Sequence, residues 1–203
     1  MDTVQQHSQE QRLHPRSGWG GWLDRFAGPG ATSAELGLQF LPAVAALVAA
    51  PVYALTLPIP WTGLQLGLMA LLGLDLMGGV LTNATVSAKR WYHRPSQGWQ
   101  QHLGFVALHV VHIGVIAGLF RGGDWAFLGL VAGYLLLAAT MIVFSPRQLQ
   151  RSVALGLFGV VLLGDRYWLT PTPGLEWFLP FFFLKILVGH LLPESSEDRE
   201  PTK

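Results

Sequence analysis

The chain contains no cysteine, which excludes disulfides, thiolate metal sites and cysteine nucleophiles. Charged residues are also scarce, at 12% of the sequence against the ~25% usual in soluble domains. The phosphate-binding glycine loop, the HExxH motif and the GxSxG motif are all absent from the sequence. A net charge of +1 gives no reason to expect nucleic acid as a partner. These absences exclude several common enzyme classes.

Apolar residues make up 51% of the chain, and they run in long blocks that are not interrupted by charge at a helical period. A helix that crosses the hydrocarbon of a bilayer needs ~20 mostly apolar residues. Since the blocks also lack the alternation of barrel strands, they predict an all-α, multi-pass membrane protein with a bundle of six transmembrane helices. The six predicted spans are Glu35–Leu57, Thr62–Val86, His102–Phe120, Trp125–Phe144, Ser152–Leu169 and Gly174–Leu192.

The basic residues predict the orientation of the chain, because cytoplasmic loops are enriched in Lys and Arg. With six spans both termini lie on one side, and that side has ten basic residues: Arg12, Arg16, Arg25, Lys89, Arg90, Arg94, Arg147, Arg151, Arg199 and Lys203. The other side has only Arg121 and Arg166. We therefore expect both termini to be cytoplasmic. The richness of the chain in Gly, Leu, Ala and Trp is compatible with a bacterial inner membrane, so we expect a multi-pass protein of the cell membrane.

The N-terminal region is polar and has no apolar core after a basic start, so a cleaved secretory signal is not expected. An aromatic and apolar stripe at i, i+3, i+4 and i+7 predicts an interfacial helix near residues 18–27; it consists of Trp19, Trp22, Leu23 and Phe26. Residues before Gly18 and the acidic tail are expected to be disordered. The predicted organisation is an N-terminal arm, a transmembrane domain and a tail, at residues 1–33, 34–192 and 193–203.

Four ionisable side chains lie inside predicted spans, where such groups are costly and are often functional. They are Asp75, His109, His112 and Lys185. At 1.5 Å per residue, all four fall within ~3 Å of the midpoints of their spans. We therefore expect them to meet in one polar site near the middle of the membrane.

Helical spacing extends this site towards the cytoplasmic side. One face of the second span has a carboxylate, two glycines, a hydroxyl and an amide, from Asp75, Gly78, Gly79, Thr82 and Asn83. In the third span His102 lies on the same stripe as the two midplane histidines. His190 is expected to point elsewhere and to be wetted at the interface. The pattern predicts a polar seam that involves Thr82, Asn83 and His102.

Three classes of function fit this seam. In the first, which requires no cofactor, it binds or conducts a proton or a small polar or anionic solute, with the histidines titrating near neutral pH. In the second, Asp75, His109 and His112 bind zinc or another divalent metal and hydrolyse a lipid-like substrate. In the third, Asp75 and Lys185 form a structural ion pair in a non-catalytic assembly or accessory subunit.

A basic and aromatic loop follows the second span and includes Lys89, Arg90, His93 and Arg94. One interpretation is an anchor to anionic headgroups. The other is a recognition site for a phosphate or a carboxylate at the mouth of the seam. Expected partners are therefore membrane lipids, with a second copy of the chain or another membrane protein as alternatives.

Overall fold

The computed structural model describes residues 14–193, and every regular element in that range is a helix. The expected disorder of residues 1–13 and 194–203 lies outside the described residues. The helices are α1 (Gly18–Ala27), α2 (Ser33–Leu55), α3 (Gly63–Ala84), α4 (Val86–Tyr92), α5 (Trp99–Leu108), α6 (Val110–Val115), α7 (Trp125–Phe144), α8 (Arg147–Tyr167) and α9 (Phe178–Phe183). Two π-helical segments, Ile116–Phe120 and Leu184–His190, follow α6 and α9 without a break.

Four helices are long and apolar enough to cross a membrane: Ser33–Leu55, Gly63–Ala84, Trp99–Phe120 and Trp125–Phe144. They coincide with the first four predicted spans, and the last of them has the bounds that the sequence predicts. The third is a composite of α5, α6 and the π-helical segment after α6. The prediction of an all-helical fold is confirmed for the described residues, and the four apolar helices indicate a membrane protein.

The last two predicted spans lie in shorter apolar stretches. In α8 the charged residues Arg151 and Asp165 enclose residues 152–164, about 20 Å of helix at 1.5 Å per residue. The last apolar helix, Phe178–His190, is shorter than the four membrane-capable helices. Both are shorter than the ~30 Å of a hydrocarbon core. The count of six spans and the cytoplasmic placement of both termini therefore stay predictions.

The N-termini of α2 and α3 have the same capping box. The hydroxyl of Thr32 accepts the backbone N–H of Glu35 at 3.2 Å, and the Glu35 carboxylate accepts the N–H of Thr32 at 2.8 Å. Thr62 and Gln65 repeat this exchange at the start of α3. Each box satisfies backbone donors that a helix end leaves unpaired, so it fixes where its helix begins.

Glycine allows α2 and α3 to approach closely. A Cβ atom at Gly73 would lie 2.6 Å from the carbonyl oxygen of Ala46, and one at Gly78 would lie 3.2 Å from the Cβ of Ala43. Small residues at such positions are the usual means by which membrane helices bring their backbones together. This contact fixes the face of α3 that is turned away from α2.

The last helix, Phe178–His190, forms the centre of the fold. It contacts α3, α7 and α8. Most of its large apolar side chains are buried almost completely; these include Phe178, Phe182, Phe183, Ile186 and Leu187. Because this helix is enclosed by the others, a charged side chain on it must find its partner inside the protein.

Helix α1 occupies the stretch where the sequence predicts an interfacial helix. Trp19 and Trp22 are exposed on one face, whereas Asp24 is buried on the other. The Arg16 guanidinium forms an ion pair with the Asp24 carboxylate at 2.7 Å and lowers the pKa of that carboxyl. That α1 lies at the membrane surface stays a prediction.

Candidate functional site

A single carboxylate oxygen connects three helices. Asp75 extends from α3, His112 from α6 and Lys185 from the π-helical segment after α9. The Oδ2 atom of Asp75 accepts a hydrogen bond from Nε2 of His112 at 3.1 Å and one from Nζ of Lys185 at 2.7 Å. We call these three side chains the midplane cluster. The structure thus brings together residues that the sequence places at one membrane depth.

Lys185 reaches Asp75 through a groove that a glycine provides. Its side chain is 4% exposed, and its stem lies against the backbone of α3 at Gly79. A Cβ at Gly79 would lie 2.4 Å from Cε and 2.7 Å from Cδ of the lysine. The absence of a side chain at this position is what allows the ammonium to reach the carboxylate.

The two histidines of the third span stack on each other. Their ring centroids are 5.0 Å apart and their planes differ by 5°. Nδ1 of His109 donates to the backbone carbonyl of Phe105 at 2.8 Å, so in the neutral imidazole Nε2 has the lone pair. His112 differs: Nε2 contacts Asp75, and the buried Nδ1 has no hydrogen-bond partner among residues 14–193. His112 therefore has a buried ring nitrogen that makes no hydrogen bond within the described part of the chain.

Backbone irregularity coincides with these residues. The helix of the third span is interrupted at His109, whose N–H is shared between the carbonyls of Phe105 and Val106 at 3.3 and 3.0 Å. Lys185 lies within a π-helical segment. Single π-helical turns inside helices occur frequently at functional sites, so the irregularity favours a functional interpretation of the cluster.

The donor set of Asp75, His109 and His112 also fits a divalent metal. One ligand atom from each lies within 4.8 Å of the others. The bond from His109 to a backbone carbonyl is the usual support for a metal-ligating histidine. The ammonium of Lys185, however, is 2.7 Å from the same carboxylate and would repel a dication. The geometry allows a metal, and the local charge opposes one.

The structure places Thr82 and Asn83 away from this cluster. The Thr82 hydroxyl donates to Oε1 of Gln39 at 3.3 Å, and the Gln39 amide donates to the hydroxyl of Thr85 at 3.2 Å. Thr82 therefore faces α2. Asn83 is buried, and its Cβ lies 3.2 Å from where a Cβ of Gly189 would be. Sequence reasoning missed Gln39, although an amide in an otherwise apolar span is a signal that could have indicated it.

A second group of histidines lies at the end of the seam that the sequence predicts to be cytoplasmic. Nδ1 of His102 is 3.3 Å from Nε2 of His190, and the rings of His102 and His93 stack at 4.6 Å. The ring of Phe105 stacks on His190 at 3.8 Å and lies 4.2 Å from His109. This second group is thus separated from the midplane histidines by one aromatic ring.

The expectation that His190 points elsewhere and is wetted is wrong, since it is 4% exposed and faces His102. In an α-helix, residues five apart differ by about 140° around the axis. His190 and Lys185 instead share a π-helical segment, in which i→i+5 hydrogen bonds bring such residues towards one face. A regular helical period could not place His190 correctly.

The basic loop is tied to the end of the last helix. Nζ of Lys89 donates to the carbonyls of Gly189, at 2.6 Å, and Leu192. Nε2 of His93 donates to the carbonyl of His190 at 2.9 Å, and burial beside His102 and Lys89 lowers the pKa of His93 to about 4. These bonds make Lys89 and His93 part of the attachment of α4 to the last helix.

The remaining basic side chains of the loop differ in exposure. Nη1 of Arg94 donates to the carbonyl of Trp91 at 2.6 Å, and the guanidinium lies 3.8 Å from the centroid of the Trp91 ring. Arg90 is exposed. Of the four residues predicted to contact an anion, Arg90 is therefore the most accessible.

Comparison with protein-family models, with curated proteins and with solved structures gives no match to this chain. Its function is therefore inferred from the geometry of the site.

Proposed function

We propose that this is a multi-pass membrane protein whose midplane cluster binds a proton together with a small polar or anionic solute. The observation that supports this most directly is the state of His112, with Nε2 on Asp75 and a buried Nδ1 that has no partner among the described residues. An imidazole ring with one N–H can accept a second proton at its other nitrogen. A ring nitrogen without a hydrogen-bond partner, on an imidazole that a carboxylate orients, is suited to accept a proton.

The charges of the cluster suggest how proton and solute would be coupled. With His112 neutral, the ammonium of Lys185 balances the carboxylate of Asp75. A proton on His112 would give the cluster one excess positive charge, which is costly in a medium of low dielectric. An anionic or strongly polar solute would offset that charge. Proton uptake and solute binding would then favour each other.

Proton uptake by purified protein in liposomes, followed with a pH-sensitive dye under an imposed pH gradient, tests this proposal. We expect His112→Gln and Asp75→Asn to lose the uptake while remaining folded and extractable as monodisperse protein. Asp165→Asn is the matched control, because it removes a carboxylate from α8, which does not contribute to the cluster. Undiminished uptake in His112→Gln would contradict the proposal, and equal loss of folded protein in both site variants would indicate a structural ion pair.

We also propose the orientation with cytoplasmic termini and six crossings, in a bacterial inner membrane. Since the chain has no cysteine, single cysteines can be introduced and labelled with an impermeant maleimide. We expect Ser96→Cys and Ser145→Cys to react from the cytoplasmic side and Thr170→Cys from the other side. Labelling of positions 145 and 170 from the same side would show that α8 does not cross.

Contact with anionic lipid is proposed for the exposed Arg90, with Trp91 beside it at headgroup level. In protein purified from membranes that contain both lipids, Arg90→Gln should lower the amount of phosphatidylglycerol that co-purifies, relative to phosphatidylcholine. An equal ratio of the two lipids with variant and wild type would contradict this contact.

A second candidate function, metal-dependent hydrolysis of a lipid-like substrate, is favoured by one observation, the close approach of ligand atoms from Asp75, His109 and His112. These residues would hold the ion, which would supply a polarised water for attack. Metal analysis of the purified protein tests it. Stoichiometric zinc that is lost in His109→Ala and kept in His102→Ala would support this function, and metal-free wild-type protein would contradict it.

A further inference from the structure

The midplane cluster is open on one side. The side chain of Asp75 is 42% exposed and that of His112 is 25% exposed, whereas that of Lys185 is 4% exposed. Asp75 lies near the middle of α3, a helix long enough to cross a membrane. With α3 across the bilayer, the opening would face hydrocarbon, where an acceptor without a donor is costly.

The borders of this opening are apolar. On α3, Leu71 lies one turn before Asp75 and is 57% exposed. The facing span is the third one, Trp99–Phe120. On it, Leu108 lies one turn before His112 and is 68% exposed, and Val111, next to His112 in the chain, is also exposed. A carboxylate and an imidazole are thus reached from the lipid phase between exposed apolar side chains, which favours an occupant with an apolar body.

Another helix cannot insert between α3 and the third span at this opening. Two side-chain hydrogen bonds connect α3 with the facing span: Asp75 with His112 at 3.1 Å, and Nε2 of Gln65 with the carbonyl of Leu119 at 2.9 Å. A helix inserted between these two would need its axis ~8–10 Å from each of theirs. That separation would break both bonds. A small molecule can approach from the side without breaking either of them.

The free acceptor indicates the polar group of that molecule. Both hydrogen bonds to Asp75 end at Oδ2, so among the described residues Oδ1 accepts none, although it belongs to an exposed carboxylate. Because Lys185 already balances the charge of Asp75, a neutral donor fits better than a second cation. A hydroxyl is such a donor, and a hydrogen bond to a charged acceptor is stronger than one between neutral groups.

We propose that this lateral opening binds a membrane-soluble molecule with a hydroxyl group on an apolar body, and that the hydroxyl donates to Oδ1 of Asp75. The inference goes beyond the proposed function, since a neutral alcohol that enters from the lipid phase is a ligand separate from the solute that would offset the charge of the proton. The molecule would reach the cluster from the lipid phase, between α3 and the third span. The contacts among His93, His102 and His190 would not change.

Photolabelling of the full chain in lipid nanodiscs tests this binding. The probe is a long-chain alcohol with a diazirine in its chain, and the matched probe is the same chain without the hydroxyl. We expect the alcohol to label α3 around Leu71 and the facing span around Leu108 about tenfold more than the alkane does, the difference that one hydrogen bond to a charged group gives. Unlabelled hexadecanol should compete.

Removing the acceptor should abolish the preference for the alcohol. Asp75→Leu combined with Lys185→Met removes both charges together, so neither is left unpaired in the membrane. We expect this double variant to label equally with the two probes, and Asp165→Leu to behave as the wild type does. Equal labelling of the wild type by both probes would overturn the inference. Cross-linking of two chains through a cysteine at position 71 would also overturn it, because a second copy would then cover the opening.

These outcomes are separable from the test of the proposed function. Proton uptake without selective labelling by the alcohol would overturn the lateral site alone. Selective labelling without proton uptake would support the lateral site and contradict the proposed proton binding.

Discussion

Gly79 offers a direct test of how Lys185 reaches Asp75. In Gly79→Ala the new Cβ would lie 2.4 Å from Cε of the lysine, whereas ordinary contacts begin at 3.4 Å. The stem must therefore move by about 1 Å, and if it moves away from Asp75 the 2.7 Å bond lengthens to about 3.7 Å, beyond hydrogen-bond range. We expect Gly79→Ala to lower proton uptake although no cluster residue is changed.

The effect on the free energy of unfolding is expected to be moderate. Overfilling a packed site costs about 1–3 kcal/mol, and replacing glycine by alanine within a helix returns up to ~1 kcal/mol. The matched control is Gly67→Ala on the same helix, where a Cβ meets nothing within 4 Å. That control should be neutral or slightly stabilised. The measurement is equilibrium unfolding in mixed micelles, followed by circular dichroism.

A double-mutant cycle decides whether the lysine stem is the cause. The second background is Asp75→Asn with Lys185→Ala, which removes the stem and leaves no carboxylate unpaired. If the overlap is with the lysine, the cost of Gly79→Ala should disappear there, with a coupling energy of about 1–3 kcal/mol. The same cost in both backgrounds would refute the reasoning, because the overlap would then be with another part of the protein.

Two further predictions concern the surroundings of the site. Gly73→Ala should lower the unfolding free energy by about 1–3 kcal/mol, since its Cβ would lie 2.6 Å from a backbone carbonyl of α2 that cannot turn aside; unchanged stability would show that α2 and α3 are not in contact there. The pKa of His93 is lowered to about 4 by burial, below the ~6.5 of an unfolded chain, so its contribution to stability is complete above pH 6.5 and is lost as the pH falls towards 4. His93→Gln, which keeps a side-chain donor, should therefore reduce the loss of stability on acidification, and an unaltered pH profile would contradict the burial of this ring.

The amino-acid sequence predicts the depth of residues better than their direction. Trp125–Phe144 could be delimited from its apolar run, because a charged or turn-forming residue flanks each end. Similarly, Asp75, His112 and Lys185 could be placed at one level, since depth depends only on the rise per residue. Counting residues was sufficient for both.

Direction around the helix axis could not be predicted in the same way. Thr82 shares a helical stripe with Asp75 in the sequence, yet its hydroxyl bonds to Gln39 of α2, because the close approach at Gly73 and Gly78 turns that part of α3 towards α2. The two π-helical segments have no signature in the apolar pattern, so the position of His190 was missed.

The fifth and sixth predicted spans stay predictions, because their apolar stretches are short. In α8 the charged residues at either end shorten the apolar stretch, and the last helix is short and is in contact with other helices. A run of apolar residues does not distinguish contact with lipid from contact with other helices, which is why the number of crossings could not be settled from the sequence.

The proposed function requires that His112 donates through Nε2 to Asp75 and that its buried Nδ1 has no hydrogen-bond partner among the described residues. Nitrogen-15 NMR of histidine-labelled protein in nanodiscs measures this directly, with His112→Gln used to assign the signal. We expect the Nε2–H tautomer, a signal that shifts in Asp75→Asn, and addition of a proton at Nδ1 on acidification. A His112 signal with the proton on Nδ1, unchanged in Asp75→Asn, would contradict it.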